Sequence, residues 1–188
     1  MPGDSTSEPA AVRSQRLDLV LSMRTATPAD SAVVHALYEH NPQYFDIISI
    51  PLPTTDEVAT ELAAAARDER RVIELVCAPE LTGVELDPRL RDRDGPGWVV
   101  GYLDYKLDYP EVGDATVNLL LIHRAARERG VGRNVVQQLE ERLSGRVNRL
   151  LASIYGRNLA ARRFWEGLGY RYAIDARPVV EWYGKTLL

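Results

Sequence analysis

The spacing of apolar residues along the chain changes period repeatedly, and each change predicts an element. "LDLVLSMRTAT" (17–27) reads as a first strand. Thr27-Pro28 then opens a helix, with Thr27 as its cap and Pro28 at its first position. Val33, Val34, Leu37 and Tyr38 give that helix one apolar face. "NPQYFDIISIPLP" (41–53) breaks it, because its prolines forbid a continuing helix. A second helix is predicted from about Thr55 to Arg67, with Val58, Leu62 and Ala65 on one side. "RVIELVCA" (71–78) reads as a strand, and the polar segment 79–97 as a long loop with turn residues at its end. "WVVGYLDYKLDY" (98–109) alternates, with Leu103, Tyr105 and Leu107 on one face and Tyr102, Asp104 and Lys106 on the other. "ATVNLLLIH" (115–123) is the most apolar strand, which predicts a central position.

Val131, Val135, Leu139 and Leu143 are spaced for one face of a helix from about Gly130 to Leu143, with Gly145 as its terminator. "RVNRLLASIY" (146–155) is a further strand, and "NLAARRFWEGLGYRY" (158–172) a further helix with its exit. Two last strands, 170–176 and 179–187, turn near Arg177-Pro178. The order β-α-α-β-β-β-α-β-α-β-β implies an α/β chain with a mixed sheet rather than a regular βαβ repeat.

Composition narrows the function classes. The chain has 188 residues, 45 % apolar and 27 % charged, as expected for one globular domain. Residues 1–16 read as a flexible tail and 17–188 as the domain. The net charge of -4 argues against general nucleic-acid binding. No apolar run is long enough to span a bilayer, and the tail lacks an apolar signal core. Cys77 is the only cysteine, which excludes an intrachain disulfide and fits the cytoplasm. His35, His40 and His123 are scattered, so no metal-ligand cluster is expected.

The chemistry concentrates after the predicted central strand, in "LLLIHRAARERGVGRNVVQQL" (119–139). A helix start carries unpaired N–H groups and the positive end of the dipole. Gly130 and Gly132 let an anion approach the backbone, and Arg127, Arg129 and Arg133 add charge. A dinucleotide fingerprint would need glycine where Val135 stands. A Walker-type loop would need glycine at Val179, ahead of the "GKT" that begins at Gly184. A pyrophosphate site for coenzyme A and a plain glycine-tolerant helix start both remain open from this turn alone.

Two motifs taken together resemble the GCN5-related N-acetyltransferase (GNAT) superfamily. Arg127-Glu128-Arg129-Gly130-Val131-Gly132 matches its [Q/R]-x-x-G-x-[G/A] motif. Asn158, Ala161, Phe164, Gly169 and Tyr170 match its Asn-led helix in register. The match is close over about Thr116 to Tyr172 and looser upstream. The resemblance implies a mostly antiparallel twisted sheet flanked by helices, with a splay between two parallel central strands. It also implies direct transfer of an acetyl group from acetyl-CoA to an amine of a small molecule or peptide. Backbone groups of Leu120, Leu121, Ile122 and His123 would pair with the pantetheine arm. The turn Arg127–Arg133 would hold the pyrophosphate. Asn158 would sit near the arm and cap its helix, and Phe164 and Trp165 would lie against the coenzyme. A homodimer is compatible with the resemblance.

Trp165 stands where many relatives carry a tyrosine acid, and an indole N–H is no useful acid. Tyr155 is the substitute candidate. For the base, the matching strand position falls near Thr116, with Asn118 on the same face and Asp104 on the neighbouring strand. Tyr44 and Phe45 are candidates to line the acceptor pocket. The missing acid and base leave an alternative, an acyl-CoA-binding regulatory module without transferase activity. Phe164 is expected to be core filling, because it falls with Ala161 and Leu168 at helical spacing.

Overall fold

A computed structural model describes residues 20–79, 81, 83–177 and 180–187, with 174–177 and 180–182 described by their backbone alone. The predicted tail, Leu17 to Leu19 of the first predicted strand, and Pro178 at the last turn lie outside the described residues. The chain runs β1 (Ser22–Thr25), α1 (Ser31–Glu39), α2 (Pro42–Ile48), α3 (Thr55–Ala65), β2 (Arg71–Ala78), β3 (Trp98–Leu107) and β4 (Asp114–Ile122). It continues through α4 (Val131–Leu143), β5 (Arg149–Tyr155), α5 (Leu159–Gly167), β6 (Arg171–Arg177) and β7 (Val180–Thr186). The strands form one sheet in the order β1-β2-β3-β4-β5-β7-β6. The apolar β4 is its central strand, and β4–β5 is its parallel pair.

Local chemistry sets the helix boundaries. Thr54 caps α3 by accepting the Glu57 N–H at 3.3 Å, while the Glu57 carboxylate accepts the Thr54 N–H at 2.7 Å. The predicted break at Asn41-Pro42 is present, but the segment after it is a short helix. Pro42 stands in the first turn of α2, where no N–H is needed, and Ser49 ends it with φ 55°. The proline thus ends one helix and starts the next.

Both faces of the sheet are covered. Val131, Val135 and Leu139 of α4 and Trp165 of α5 pack with Val100, Leu103, Tyr105 and Val117 on one face. Leu37 and Tyr38 of α1 and Val58 and Leu62 of α3 pack with Leu75, Val99, Tyr102 and Leu121 on the other. This corrects the expected polar face of β3: Tyr102 is buried, and Asp104 is only 4 % exposed. The alternation of β3 separates two buried faces, because helices sit on both sides.

Candidate active site

The site begins where two parallel strands part. β4 and β5 pair only from Asp114↔Arg149 to Val117↔Ala152, although both strands run on. The parting coincides with a bulge: Leu119 faces Asp104 and Val117 faces Tyr105, so Asn118 is the extra residue. Beyond it, β4 stays paired to β3 and leaves its other edge open. His123 donates its N–H to the Val100 carbonyl at 2.8 Å. Polar groups of an antiparallel strand alternate in direction, so Leu120 and Ile122 turn theirs toward the open edge. The set Leu120, Leu121, Ile122 and His123 is therefore narrowed. Leu121 and His123 direct their backbone groups into the sheet, and Arg127 Nε already donates to the Ile122 carbonyl at 3.0 Å. The Leu120 N–H and C=O and the Ile122 N–H remain on the open edge.

The start of α4 closes one end of this opening. Gly130 caps it with φ 84°, a conformation that glycine adopts without strain. The first bond of the helix runs from the Asn134 N–H to the Gly130 carbonyl at 2.9 Å. The N–H groups of Val131, Gly132 and Arg133 therefore have no partner within the helix. A Cβ on Gly132 would lie 3.2 Å from two ring atoms of Phe164. Glycine thus lets α4 and α5 meet beside the anion-accepting turn. Glu128, Arg129 and Arg133 are exposed around it. Arg127 instead folds back, and its guanidinium also bonds the side chain of Asn41, which is fully buried.

The second motif follows its expectation at Asn158 and departs from it at Trp165. Asn158 caps α5, accepting the Ala161 N–H at 3.0 Å. Phe164 is the half-buried residue against Gly132, while Trp165 is 5 % exposed and packs on Tyr170 with ring centroids 4.8 Å apart. Both side chains pack on the core, Trp165 the more deeply, so only Phe164 keeps the expected place beside the coenzyme. Phe164 borders the opening, and Trp165 fills the core. A buried indole at this position donates nothing to a leaving group in the opening.

On the α1–α3 face lies a polar cluster that sequence reasoning missed. Arg71 holds Asp104 with two bonds, Nε at 3.1 Å and Nη2 at 2.6 Å, and Nη2 also reaches Glu61 at 2.7 Å. Asn118 Nδ2 donates to Asp104 Oδ1 at 3.2 Å, which turns the Asn118 amide oxygen away from the carboxylate. Asp104 is neither an edge residue nor solvated: it is a buried carboxylate satisfied by Arg71 and Asn118. The clue in the sequence was an arginine opening a strand that is otherwise mostly apolar. Thr116, opposite Lys106 and buried, donates its hydroxyl to the Tyr109 carbonyl at 2.6 Å.

The remaining candidates divide in the same way. Phe45 is buried against Tyr38 at 5.0 Å and Tyr44 at 5.2 Å, so it is core. Tyr44 is half-buried. Burial pushes its hydroxyl's pKa well above the usual value, and the nearby Tyr155, Asp104 and Glu61 add to the rise. Tyr155 is 37 % exposed at the end of β5, beyond the last β4 pair.

His123 sits at the far end of β4. It is 3 % exposed, its ring 4.8 Å from that of His40. Its Nδ1 accepts the Ala125 N–H at 3.2 Å, which assigns the proton to Nε2. Burial chiefly, then His40, Arg124 and Arg127, lower its pKa to about 4. The folded state therefore resists protonation that the unfolded chain accepts near pH 6.5. Stability contributed by neutral His123 is present above that value and is lost as pH falls toward 4, up to about 3 kcal/mol. Urea unfolding at pH 7 and pH 4.5 tests this. The wild type should lose more stability than His123→Asn, which keeps a capping side chain and does not titrate.

Fold and opening together define a class of protein: a sheet that parts between two parallel strands beside the N-terminus of a helix. The sequence profile of the Acetyltransferase (GNAT) family matches residues 84–170. An acetyltransferase from Thermus thermophilus is 35 % identical, with a TM-score of 0.75, over 90 % of this chain and 98 % of its own. A Salmonella typhimurium acetyltransferase that modifies the N-terminal serine of ribosomal protein L7/L12 shares the fold. Its identity is 12 % and its TM-score 0.70, over 92 % of this chain and 98 % of its own. Another Salmonella typhimurium acetyltransferase, solved with its cofactor acetyl-CoA, gives 18 % and 0.59, over 89 % and 94 %. No curated protein matches the chain. The chain belongs to the GNAT family of acetyltransferases. It is an N-acetyltransferase whose acyl donor, as in the family, is acetyl-CoA. Among the described residues no helix is long and apolar enough to cross a membrane.

Proposed function

We propose that acetyl-CoA lies along the open edge of β4 and that its acetyl group passes directly to an amine entering from the α1–α3 face. The observation that carries this is the parting of β4 and β5 at the Asn118 bulge, next to the unpaired N–H groups of α4. The pantetheine arm pairs with the Leu120 and Ile122 edge, and the pyrophosphate rests on the N–H groups of Val131, Gly132 and Arg133. Asn158 borders the arm from the start of α5, and Phe164 flanks the coenzyme beside Gly132. The Leu120 N–H polarises the thioester oxygen.

The neutral amine nitrogen bonds to the carbonyl carbon, the C–S bond breaks, and the thiolate leaves. The amine's surplus proton passes to water on the Glu61 side, and the Tyr155 hydroxyl donates to the departing sulfur. Asn118 orients the amine. Its Nδ2 is spent on Asp104, so its oxygen is aimed to accept an amine N–H. Catalysis on this reading is largely positioning. A cytoplasmic location is proposed on the single cysteine, Cys77, a buried thiol pushed up to about 12 mainly by burial.

The test is calorimetry with acetyl-CoA, together with release of free thiol in the presence of amines. Binding without thiol release to any amine would favour the binding-module alternative. Asn118→Ala should lower kcat by roughly 10- to 100-fold, the range for a lost positioning contact, with coenzyme affinity unchanged. An unchanged kcat would remove Asn118 from the mechanism.

A further inference from the structure

We propose that the acceptor is a monoamine on an apolar, uncharged body, an aralkylamine or alkylamine, and not a polycation. This rests on the acyl-transfer reading above and names the substrate of the same site.

The rim of the acceptor side is apolar. Among the described residues nine large hydrophobic side chains are exposed, and five of them are Ile47, Ile50, Leu52, Tyr155 and Leu159, each between 37 % and 56 % exposed. They lie on two segments, the end and exit of α2 and the turn from β5 into α5. These segments meet: a Cβ on Gly156 would lie 3.5 Å from the Ile47 carbonyl oxygen. The other four, Val20, Tyr109, Val112 and Tyr172, lie on other segments, so the five at the meeting of α2 and the β5–α5 turn mark a recognition surface rather than random exposure. The rim's flanking charges, Asp46 on α2 and Arg157 between Tyr155 and Leu159, are one of each sign.

Deeper in, the charge is sized for one ammonium. Tyr44 shares α2 with Ile47 and packs against Phe45 at 5.2 Å on the α1–α3 side, so it links the rim to that face, and its hydroxyl lies within electrostatic reach of Tyr155, Asp104 and Glu61. The neighbouring cluster, in which Asp104 is buried and the Glu61 side chain stays 39 % exposed, holds two carboxylates and one guanidinium, a formal charge of -1 from Glu61, Asp104 and Arg71. Lys106 on the same strand face is neutralised by Asp68 at 2.7 Å. Asp104 is spent on Arg71 and Asn118, while Glu61 bonds Arg71 through Oε1 alone. Oε2 of Glu61 is the acceptor left for an incoming ammonium, which gives up one proton to water on that side to become the neutral amine that attacks. A second or third ammonium would find a single rim carboxylate, Asp46, offset by Arg157 and set among apolar side chains, where covering it without a partner is costly. A monoamine with an apolar body satisfies both layers: its body covers the rim, and its nitrogen reaches Glu61 and the Asn118 oxygen.

The experiment uses the full chain with acetyl-CoA, following free thiol with phenethylamine, octylamine, spermidine and kanamycin. The expected result is a kcat/KM for phenethylamine or octylamine at least tenfold above that for spermidine and kanamycin. The double variant Ile50→Glu/Leu159→Glu should cut that preference at least tenfold, and coenzyme affinity by calorimetry should not change. Preference for a polycation, an unchanged ratio in the double variant, or coenzyme binding without turnover of either apolar amine overturns the proposal. Failure of acetyl-CoA to bind at all would instead overturn the acyl-transfer reading.

Discussion

Gly132→Glu is expected to abolish coenzyme binding, weakening acetyl-CoA affinity by at least about 100-fold. Two effects act together. A Cβ at this position already meets the Phe164 ring at 3.2 Å and Ile122 Cγ1 at 3.7 Å, so α5 or the start of α4 must give way. The carboxylate then stands among the N–H groups of Val131, Gly132 and Arg133, where the account seats a pyrophosphate, and like charges at that range repel strongly. Far-UV circular dichroism should stay native, because the change is at the surface end of a helix. Gly132→Ala separates the two effects: it keeps the steric part alone and should weaken affinity less. If Gly132→Glu bound acetyl-CoA like the wild type, the pyrophosphate would have to lie elsewhere.

Trp165→Ala should destabilise the fold by roughly 3–5 kcal/mol, the cost of removing a large aromatic side chain from a core. For a chain of this length that is a fall in Tm of about 10 °C. The reason is placement: Trp165 packs against Tyr170 at 4.8 Å and Phe164 at 5.2 Å, and Tyr170 bonds Glu140 of α4 at 3.1 Å. The indole therefore helps seat α5 and its exit against α4. Trp165→Tyr should keep the fold and coenzyme binding, at a smaller stability cost. If Trp165 were instead the leaving-group donor, Trp165→Tyr would raise kcat and Trp165→Ala would leave Tm unchanged.

The opening and the fold were legible because they depend on local pattern. Apolar spacing located α3 and α4, and the buried faces Val58–Leu62–Ala65 and Val131–Val135–Leu139–Leu143 are those the spacing selects. The largely apolar run of β4, from Ala115 to Ile122, marked it as central. The glycines at 130 and 132 located the helix start, since only a close approach or a positive φ calls for them. What stayed hidden depends on partners distant in sequence. The burial of Asp104 was not legible because nothing near it in the chain announces Arg71 or the cover of α1 and α3. Asn41 gave no sign of its bond to Arg127, which lies in another motif. Phe164 and Trp165 are adjacent: helical spacing set Phe164 with Ala161 and Leu168 against the core, as found, but did not show that Trp165 is the more deeply buried of the two. A helix of nine residues turns two neighbours about 100° apart, and only the position of Tyr170 and Gly132 decides which faces inward.

The coenzyme is expected to occupy the parting of β4 and β5, with its phosphates on the start of α4. Hydrogen exchange of the full chain with and without saturating acetyl-CoA tests it most directly. Slowed exchange at the amides of Leu120, Ile122, Val131, Gly132 and Arg133, with little change along β1 and β2, is the predicted result. Exchange left unchanged at those five amides while acetyl-CoA binds would contradict it.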